Sequence, residues 1–516
     1  MGQEESKETK PAAKLLSAAD VAHQLGITKA AVERLREEGK LPGVRGRWGR
    51  WFYHPDSLAA VIMDAPAVEP TTLSSIISEI APPKYDDDDV EDNKPASEQA
   101  PMIRMANAIL VQAIDSRASD IHIESHSRYI FVRCRIDGVL HEIMKIPNHI
   151  KGPLIQRYKV MADMNILERR VPQAGRIPIK YAGADYDFRV STLPSSYGEN
   201  VIIHILKQTE SRKGLNHLGF GPPTQARLDS FLTEDPAGLL LVTGPGGSGI
   251  TTTAYNMLWR INSFERKILA LESLPEYNLD GVIHSYYGGH RLSTLSETLR
   301  LLPLMDVDTV FLGDVNTTES LSGAAETALR GKQVIATMAA EDACMALWRL
   351  SQLTMFAEKK VGREEAYSLL PRYQTRVDKA GQPLLQTVLG ILSQRLLRKV
   401  CPECKEPYSA PPASLSSFGL PTDDLNAEVT LFRGKGCEAC RNSGYHGRIA
   451  VYELLSMNPE IAALAALQAP LGDIREAAQA SGMRDMRTEA LTKVLEGITT
   501  PEEVLRVLGR PKNIGQ

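Results

Sequence analysis

No run in this 516-residue chain approaches the ~20 consecutive apolar residues that a membrane-spanning helix needs. The opening Met1-Gly-Gln-Glu-Glu-Ser-Lys also lacks the apolar segment of a secretory signal, so a cytoplasmic protein is expected. There is no basic excess: 59 Lys and Arg face 63 Asp and Glu, giving a net charge of −4. That balance excludes a globally basic nucleic-acid binder and leaves room only for a local patch. Cysteine is scarce, with 6 in all. Cys134 and Cys344 stand apart and read as buried neutral thiols. The other four form two Cys-x-x-Cys pairs late in the chain, a pattern that in a cytosolic protein favours metal over disulfides. No internal repeat is visible.

What is present suits a soluble protein of about three or four domains, with 43% hydrophobic and 24% charged residues. Residues 1–13 are a polar tail, and residues 14–64 form a compact, mostly helical module. Residues 65–100 are Pro-rich and acidic, with Asp86 to Asp89 solvated, so they read as a linker. Ordered periodicity then runs over 101–210 and 225–516, broken by a short linker at 211–224.

In the first module, Val21, Ala22, Leu25, Val32 and Leu35 would close a small core between two short helices about a turn at Gly26. Trp51-Phe-Tyr follows as a wing-like strand. The pattern resembles the winged helix-turn-helix of MerR and excisionase-type proteins. Lys29, Arg34, Arg36, Lys40, Arg45, Arg47 and Arg50 outnumber Glu33, Glu37 and Glu38 over residues 29–50. That surplus suits DNA phosphate contacts, and the same module can equally serve as a protein-docking element.

The next segment joins an amphipathic helix from Asn107 to strand-like runs at 118–124, 132–140 and 188–194, with a helix over 150–162. In order and wording these runs, and Glu168-Arg-Arg-Val-Pro-Gln-Ala-Gly-Arg, resemble the second N-terminal domain of the type II secretion and type IV pilus assembly ATPases. The resemblance implies arginines that reach nucleotide phosphates, for which Arg176 and Arg189 remain, because a guanidinium meets phosphate oxygens bidentately. Those arginines can also be structural ion-pair partners. Asn200 and His204 stand where the family has basic residues.

An apolar strand from Gly238 then enters Gly244, Pro245, Gly246, Gly247, Ser248, Gly249, Ile250, Thr251 and Thr252, a phosphate-loop pattern with one exception. Ile250 occupies the lysine position, so the backbone nest stays and the point charge goes. Thr251 keeps a hydroxyl for magnesium. Further motifs resemble the same family with chemical residues replaced. Glu272 and Glu276 are kept around an acidic box in which Ser273 replaces aspartate. Asp306 and Asp308 remain before the Walker B strand, while Asp314 stands for glutamate, Asn316 for arginine and Ala339 for histidine. A carboxylate one methylene short misplaces an attacking water by ~1 Å, which can cost ~10²-fold in rate.

Cys401 and Cys404 precede Cys437 and Cys440 by a 32-residue gap, and four thiolates complete a closed tetrahedral zinc site of structural type within residues 400–447. The flanking sequences resemble the family's metal-binding insertion.

The expected fold is therefore α/β: a RecA-like P-loop domain with a zinc insertion, a small α/β domain before it, and an N-terminal winged helix-turn-helix. The resemblance implies ATP with Mg2+, a homo- or hetero-hexamer, and a cytoplasmic place at the inner-membrane platform protein. Three functions fit. One is a weak or inactive paralogue acting as a structural or regulatory ring subunit. Another is a slow ATPase using Asp314 and a substitute cation such as Lys332; Glu272 is a further catalytic candidate. The last is a DNA-linked regulator using the ATPase body as a scaffold.

Overall fold

The structure is a computed structural model that describes residues 96–234, 237–273, 275–287, 295–361, 383–418, 420 and 428–510. It also describes residues 16–17, 21, 36, 43–45 and 51–53. The chain divides into two compact units, Met1–Lys207 and Gln208–Gln516. Among the described residues, no helix is long and apolar enough to cross a membrane.

In the first unit, β1 (Leu16–Ser17), β2 (Gly43–Arg45) and β3 (Trp51–Tyr53) form an antiparallel sheet in the order β1-β3-β2. The Trp51-Phe-Tyr segment is thus a strand, and Arg36 lies 4.6 Å from the Trp51 ring centre. The two expected helices, most of the 29–50 basic surplus and the acidic linker lie outside the described residues.

A second sheet of the same unit holds β4 (Ala118–Ser125), β5 (Tyr129–Ile136), β6 (Val139–Pro147), β7 (Gln173–Tyr181), β8 (Ala184–Ser195) and β9 (Gly198–Lys207). All pairings are antiparallel, in the order β6-β5-β4-β9-β8-β7. Strict alternation explains its two faces. Ile121, Ile123, Val132, Cys134, Phe188, Val190, Val201 and Ile203 are buried on one face. Against them pack α1 (Ala96–Asp115), through Met105, Ile109 and Ala113, and α2 (Lys151–Met161), through Leu154, Ile155 and Tyr158. Spacings of four along α1 put its buried residues on one stripe.

The second unit is built on seven strands in the order β12-β11-β13-β14-β10-β15-β18. These are β10 (Gly238–Thr243), β11 (Ile268–Glu272), β12 (Val282–Tyr286), β13 (Thr309–Leu312), β14 (Gln333–Met338), β15 (Val388–Val400) and β18 (Tyr445–Ser456). All neighbours are parallel except β18, which runs antiparallel at one edge. β10 is buried on both faces, as a central parallel strand must be. Leu239 and Leu241 join the core beneath α5 (Thr318–Leu329) and α6 (Ala343–Val361), while Leu240 and Val242 join the core beneath α3 (Pro222–Thr233) and α4 (Ile250–Ile261).

After β15 the chain makes a hairpin of β16 (Lys405–Ala410) and β17 (Val429–Gly434), and it ends in α7 (Leu471–Ala480), α8 (Met486–Leu495) and α9 (Pro501–Leu508). Glu503 of α9 is fully buried and accepts hydrogen bonds from Arg398 of β15 (Nη2 at 2.7 Å) and Arg506 (Nη2 at 2.6 Å). Burial raises the Glu503 pKa, but the bonds from Arg506 and Arg398 outweigh it and hold the carboxyl below its ordinary value of 4.5. Because the folded pKa is depressed, this contribution to stability is complete above pH 4.5 and falls away as pH drops toward the folded value. Glu503→Ala leaves Arg398 without its buried partner and should destabilise the second unit by about 3–5 kcal/mol at pH 7. The difference from wild type, measured by thermal melts, should shrink as the pH is lowered below 4.5.

Candidate functional site

The carboxyl ends of the parallel strands carry the site, as expected for an open parallel α/β sheet. Residues 244–249 connect β10 to α4 as a tight turn in which Gly247 and Gly249 have φ of +78° and +84°, so neither position suits a side chain. Gly244 is constrained by space: a Cβ there would lie 2.7 Å from the carbonyl oxygen of Gln394. Ser248 N–H bonds back to Pro245 O at 3.1 Å, and Thr253 N–H to Gly249 O at 3.0 Å, so the loop runs into the first turn of α4. The result is an anion nest at a helix N-terminus.

Gln394, buried in β15, locks that nest. Its Nε2 donates to Ser248 O at 2.7 Å, and its Oε1 accepts from Thr253 Oγ1 at 2.8 Å. The sequence showed Gln394 only as part of the flank before the cysteines. A two-sided amide across from a Gly-rich loop was the available signal.

Of the expected loop residues, Ile250 is turned toward the apolar core beneath α3 and α4. Thr251 is half-buried at the mouth, and Thr252 Oγ1 lies 3.0 Å from Tyr277 OH. Glu272, at the end of β11, is 4% exposed and accepts a hydrogen bond from Tyr255 OH of α4. Burial and the adjacent Glu272 carboxylate raise the Tyr255 pKa, so the phenol stays a donor. Ser273 is exposed beside it. Asp314 follows β13 and is exposed, and burial of part of its carboxyl raises its pKa against the opposing bond from Asn316 Nδ2. Asn316 Oδ1 in turn accepts the Ala339 N–H at 3.2 Å. The loop after β14 is thus tied to the loop after β13 through one asparagine.

Three candidates lie elsewhere. Asp306 and Asp308 precede β13, with Asp308 Oδ2 accepting Lys267 N–H at 2.8 Å, so they stand at the opposite end of that strand from Asp314. Lys332 precedes β14, its carbonyl accepting Gly238 N–H at 3.2 Å at the start of β10. Six residues of strand, about 20 Å at the usual rise, separate it from the loop, so Lys332 does not supply the missing cation.

In the first unit, Arg176, Arg189, His204, Asp120 and Arg135 face one another across five adjacent strands. They form one polar row on the face opposite the helices. Arg176 Nε donates to the nearly buried Asp187 at 2.6 Å, and His204 Nδ1 lies 2.5 Å from Asp120 Oδ1. Arg176 therefore has a structural ion-pair partner, while half its side chain stays exposed.

The four late cysteines converge because β16 and β17 pair Lys405 with Gly434, which brings the two knuckles at the hairpin's open end together. Their sulfurs lie within 4.8 Å of one another, with Cys401–Cys437 at 3.8 Å, Cys404–Cys440 at 3.8 Å and Cys437–Cys440 at 3.7 Å. A tetrahedron with metal–sulfur bonds of about 2.3 Å needs sulfur–sulfur edges of about 3.8 Å, so the set fits such an ion. The N–H groups of Gly436, Cys437 and Gly444 donate to Cys404 or Cys440 sulfur at 3.1–3.3 Å. Burial pushes the Cys440 thiol up, but those of Cys437 and Gly444 prevail and bring it down to about 6. Cys134 and Cys344 are buried and lie outside this cluster.

A family model described as type II/IV secretion system protein matches residues 95–506, and one described as helix-turn-helix domain matches residues 15–65. Type II secretion system protein E of Pseudomonas aeruginosa is 37% identical over 421 residues, 81% of this chain and 78% of that protein. Type II secretion system ATPase E of Vibrio cholerae is 35% identical over 422 residues, 81% of this chain and 77% of that protein. Among solved structures, the Legionella pneumophila ATPase DotB aligns with a TM-score of 0.52 at 17% identity, covering 81% of this chain and 96% of that one. The pilus retraction motor PilT with bound ADP aligns at 0.50 and 20% identity, covering 78% and 96%. These structures share the RecA-like α/β fold.

Cys437→Ser should abolish stoichiometric metal binding, taking elemental analysis from about one ion per chain to near zero. The melting temperature should fall by roughly 5–10 °C with it.

Proposed function

The chain belongs to the type II/IV secretion system protein family, and from that premise we propose that it is a ring subunit whose ATP turnover is weak or absent. It has a structural or regulatory role in a type II secretion or type IV pilus assembly machine. The observation that carries this reading is the phosphate loop: Gly247 and Gly249 keep the positive φ a nest uses, while the lysine position holds Ile250, half-buried against the core. The nest supports residual nucleotide binding, with Thr251 available to Mg2+. Loss of the point charge, together with Asp314 bonded to Asn316, argues against fast hydrolysis.

In this reading the protein forms a hexamer, alone or mixed with a homologue that keeps the lysine and glutamate. It works in the cytoplasm against the inner-membrane platform. Arg176 and Arg189 are assigned to the nucleotide phosphates, and the exposed half of Arg176 supports that role. The four-cysteine set is assigned to structural zinc, with no position left for water. A slow ATPase remains the nearest alternative, since Glu272 is held ready by Tyr255 and Asp314 keeps a carboxylate at the mouth.

The purified oligomer should bind MgATP weakly and hydrolyse it at least about 10²-fold more slowly than a relative with lysine and glutamate in place. Ile250→Lys should raise MgATP affinity by about tenfold or more, because a lysine stem can lie along the same apolar surface while its ammonium reaches the nest. A family-typical rate that vanishes in Asp314→Ala would overturn the inactive reading.

A second reading rests on the helix-turn-helix match and the antiparallel wing at Gly43–Arg45 and Trp51–Tyr53. If this module contacts DNA, binding should weaken steeply with salt and disappear when Arg45, Arg47 and Arg50 are neutralised. No binding at low salt would leave protein docking as its role.

A further inference from the structure

We propose that Arg395, flanked by Arg349, supplies the phosphate-binding charge that the Gly-rich loop lacks. This rests on the reading that the loop still takes a nucleotide. β15 runs past the end of β10: Thr243 pairs with Ser393, so Gln394 stands beside Gly244 and Arg395 comes one residue further along. Alternation sends the Gln394 side chain to the α4 face, where it clamps the loop, and the Arg395 side chain to the other face. There Arg395 Nη1 donates to Gln394 O at 3.0 Å, and Nη2 donates to Glu341 O in the loop after β14. Arg349 reaches the same loop from α6, donating to Ala339 O. That loop is itself tied to the nest, since Gly244 N–H bonds to Met338 O at 3.3 Å.

What singles these arginines out is the nature of their partners. Both guanidinium groups are bonded to neutral carbonyls, and among the described residues neither has a carboxylate within ion-pair distance. Among the described residues, the acidic groups acting on Arg395 are Glu453, Asp342 and Glu341. Asp342 is already matched by Arg475 at 2.8 Å. Glu453 is buried against the Ala343 N–H at 2.7 Å, and burial pushes its carboxyl up to about 7, which weakens it as a counter-charge. Glu341 is exposed, where water screens it. Among the described residues, two arginines without an ion pair thus border an anion nest whose own loop residues include no cation. A guanidinium keeps its proton even when partly buried, so the charge is permanent. Arg395 can exchange its Glu341 carbonyl contact for a phosphate oxygen, a stronger charge-assisted bond.

The test is calorimetric titration of the full-length oligomer with MgATP and, separately, with AMP, whose single phosphate cannot fill the loop. Arg395→Ala should weaken MgATP binding by about 10- to 100-fold and leave AMP binding unchanged. Arg395→Lys should retain part of the affinity, and the Ile250→Lys, Arg395→Ala double variant should recover it, because the charge then comes from the loop. Unchanged MgATP affinity in Arg395→Ala would overturn the proposal while leaving the nucleotide-site reading intact, and so would an equal loss for both ligands. If Arg395→Ala does not fold, the same comparison on Arg395→Lys decides, with equal effects on both ligands counting against a phosphate contact. Wild-type protein that binds no MgATP, when Ile250→Lys does bind it, would instead remove the underlying reading that the native loop takes nucleotide.

Discussion

The Gly-rich loop keeps its shape because a buried amide makes it do so. A nest works only if successive N–H groups point outward at the ligand, which turns some carbonyls inward, where each needs a donor. The inward carbonyl of Ser248 finds it in Gln394 Nε2, and the other end of the same amide holds Thr253 in the first turn of α4. Losing either bond would leave a buried polar group unmatched, at about 1–3 kcal/mol. Gln394 also fixes the spacing of two strands, since its own carbonyl leaves no room for a side chain at position 244. β15 therefore reads out the loop on one side and, a few residues later, becomes the first cysteine knuckle. The hydrogen bond from Cys401 N–H to Gly444 O and the Arg398–Glu503 pair anchor that far end.

Seen from this constraint, replacement of lysine at position 250 is mild for the fold and severe for charge. The first residue of α4 needs helical backbone and a side chain that tolerates the nest, and Ile250 adds burial on the core side. Nothing in the Gln394 network asks for an ammonium. The same holds at position 339, where the backbone N–H makes the structural bond to Asn316 and the side chain is free to become alanine. Geometry and chemistry are carried by different atoms at these positions, so the second can be lost while the first is retained.

The broad architecture was legible in the residues because it depends on repeated local signals. The apolar β10 entering a glycine turn, the alternation that splits each middle-domain strand into two faces, and the paired Cys-x-x-Cys spacing all repeat within a few residues. Contacts set by long-range register were not legible. The sequence put Asp306, Asp308 and Asp314 in one stretch, yet a four-residue strand separates the first two from the last and sends them to opposite ends of the sheet. Lys332 failed as a substitute cation for the same reason: it is close in sequence to β14 but enters at the wrong end. Gln394, Arg395 and Arg349 were not legible either, because each bonds a backbone carbonyl, which carries no residue-type signal, and the Thr253 partner of Gln394 lies 141 residues away.

Asn316 shows how substitutions at such a site can support one another. An arginine at this position and a histidine at 339 would each bring a side chain with its own charge or proton to the mouth. Asparagine brings a neutral amide with a donor end and an acceptor end, and both ends are used: Nδ2 donates to Asp314, and Oδ1 accepts the Ala339 N–H. That arrangement satisfies the shortened carboxylate and closes the two loops on each other without any ligand. The donor that holds Asp314 Oδ1 occupies part of the carboxylate's acceptor capacity and fixes its orientation, so the arm that stabilises the resting loops also works against catalysis. Asp314, Asn316 and Ala339 are therefore better understood as one exchanged unit than as three independent losses, with the cation requirement passed to the neighbouring strand.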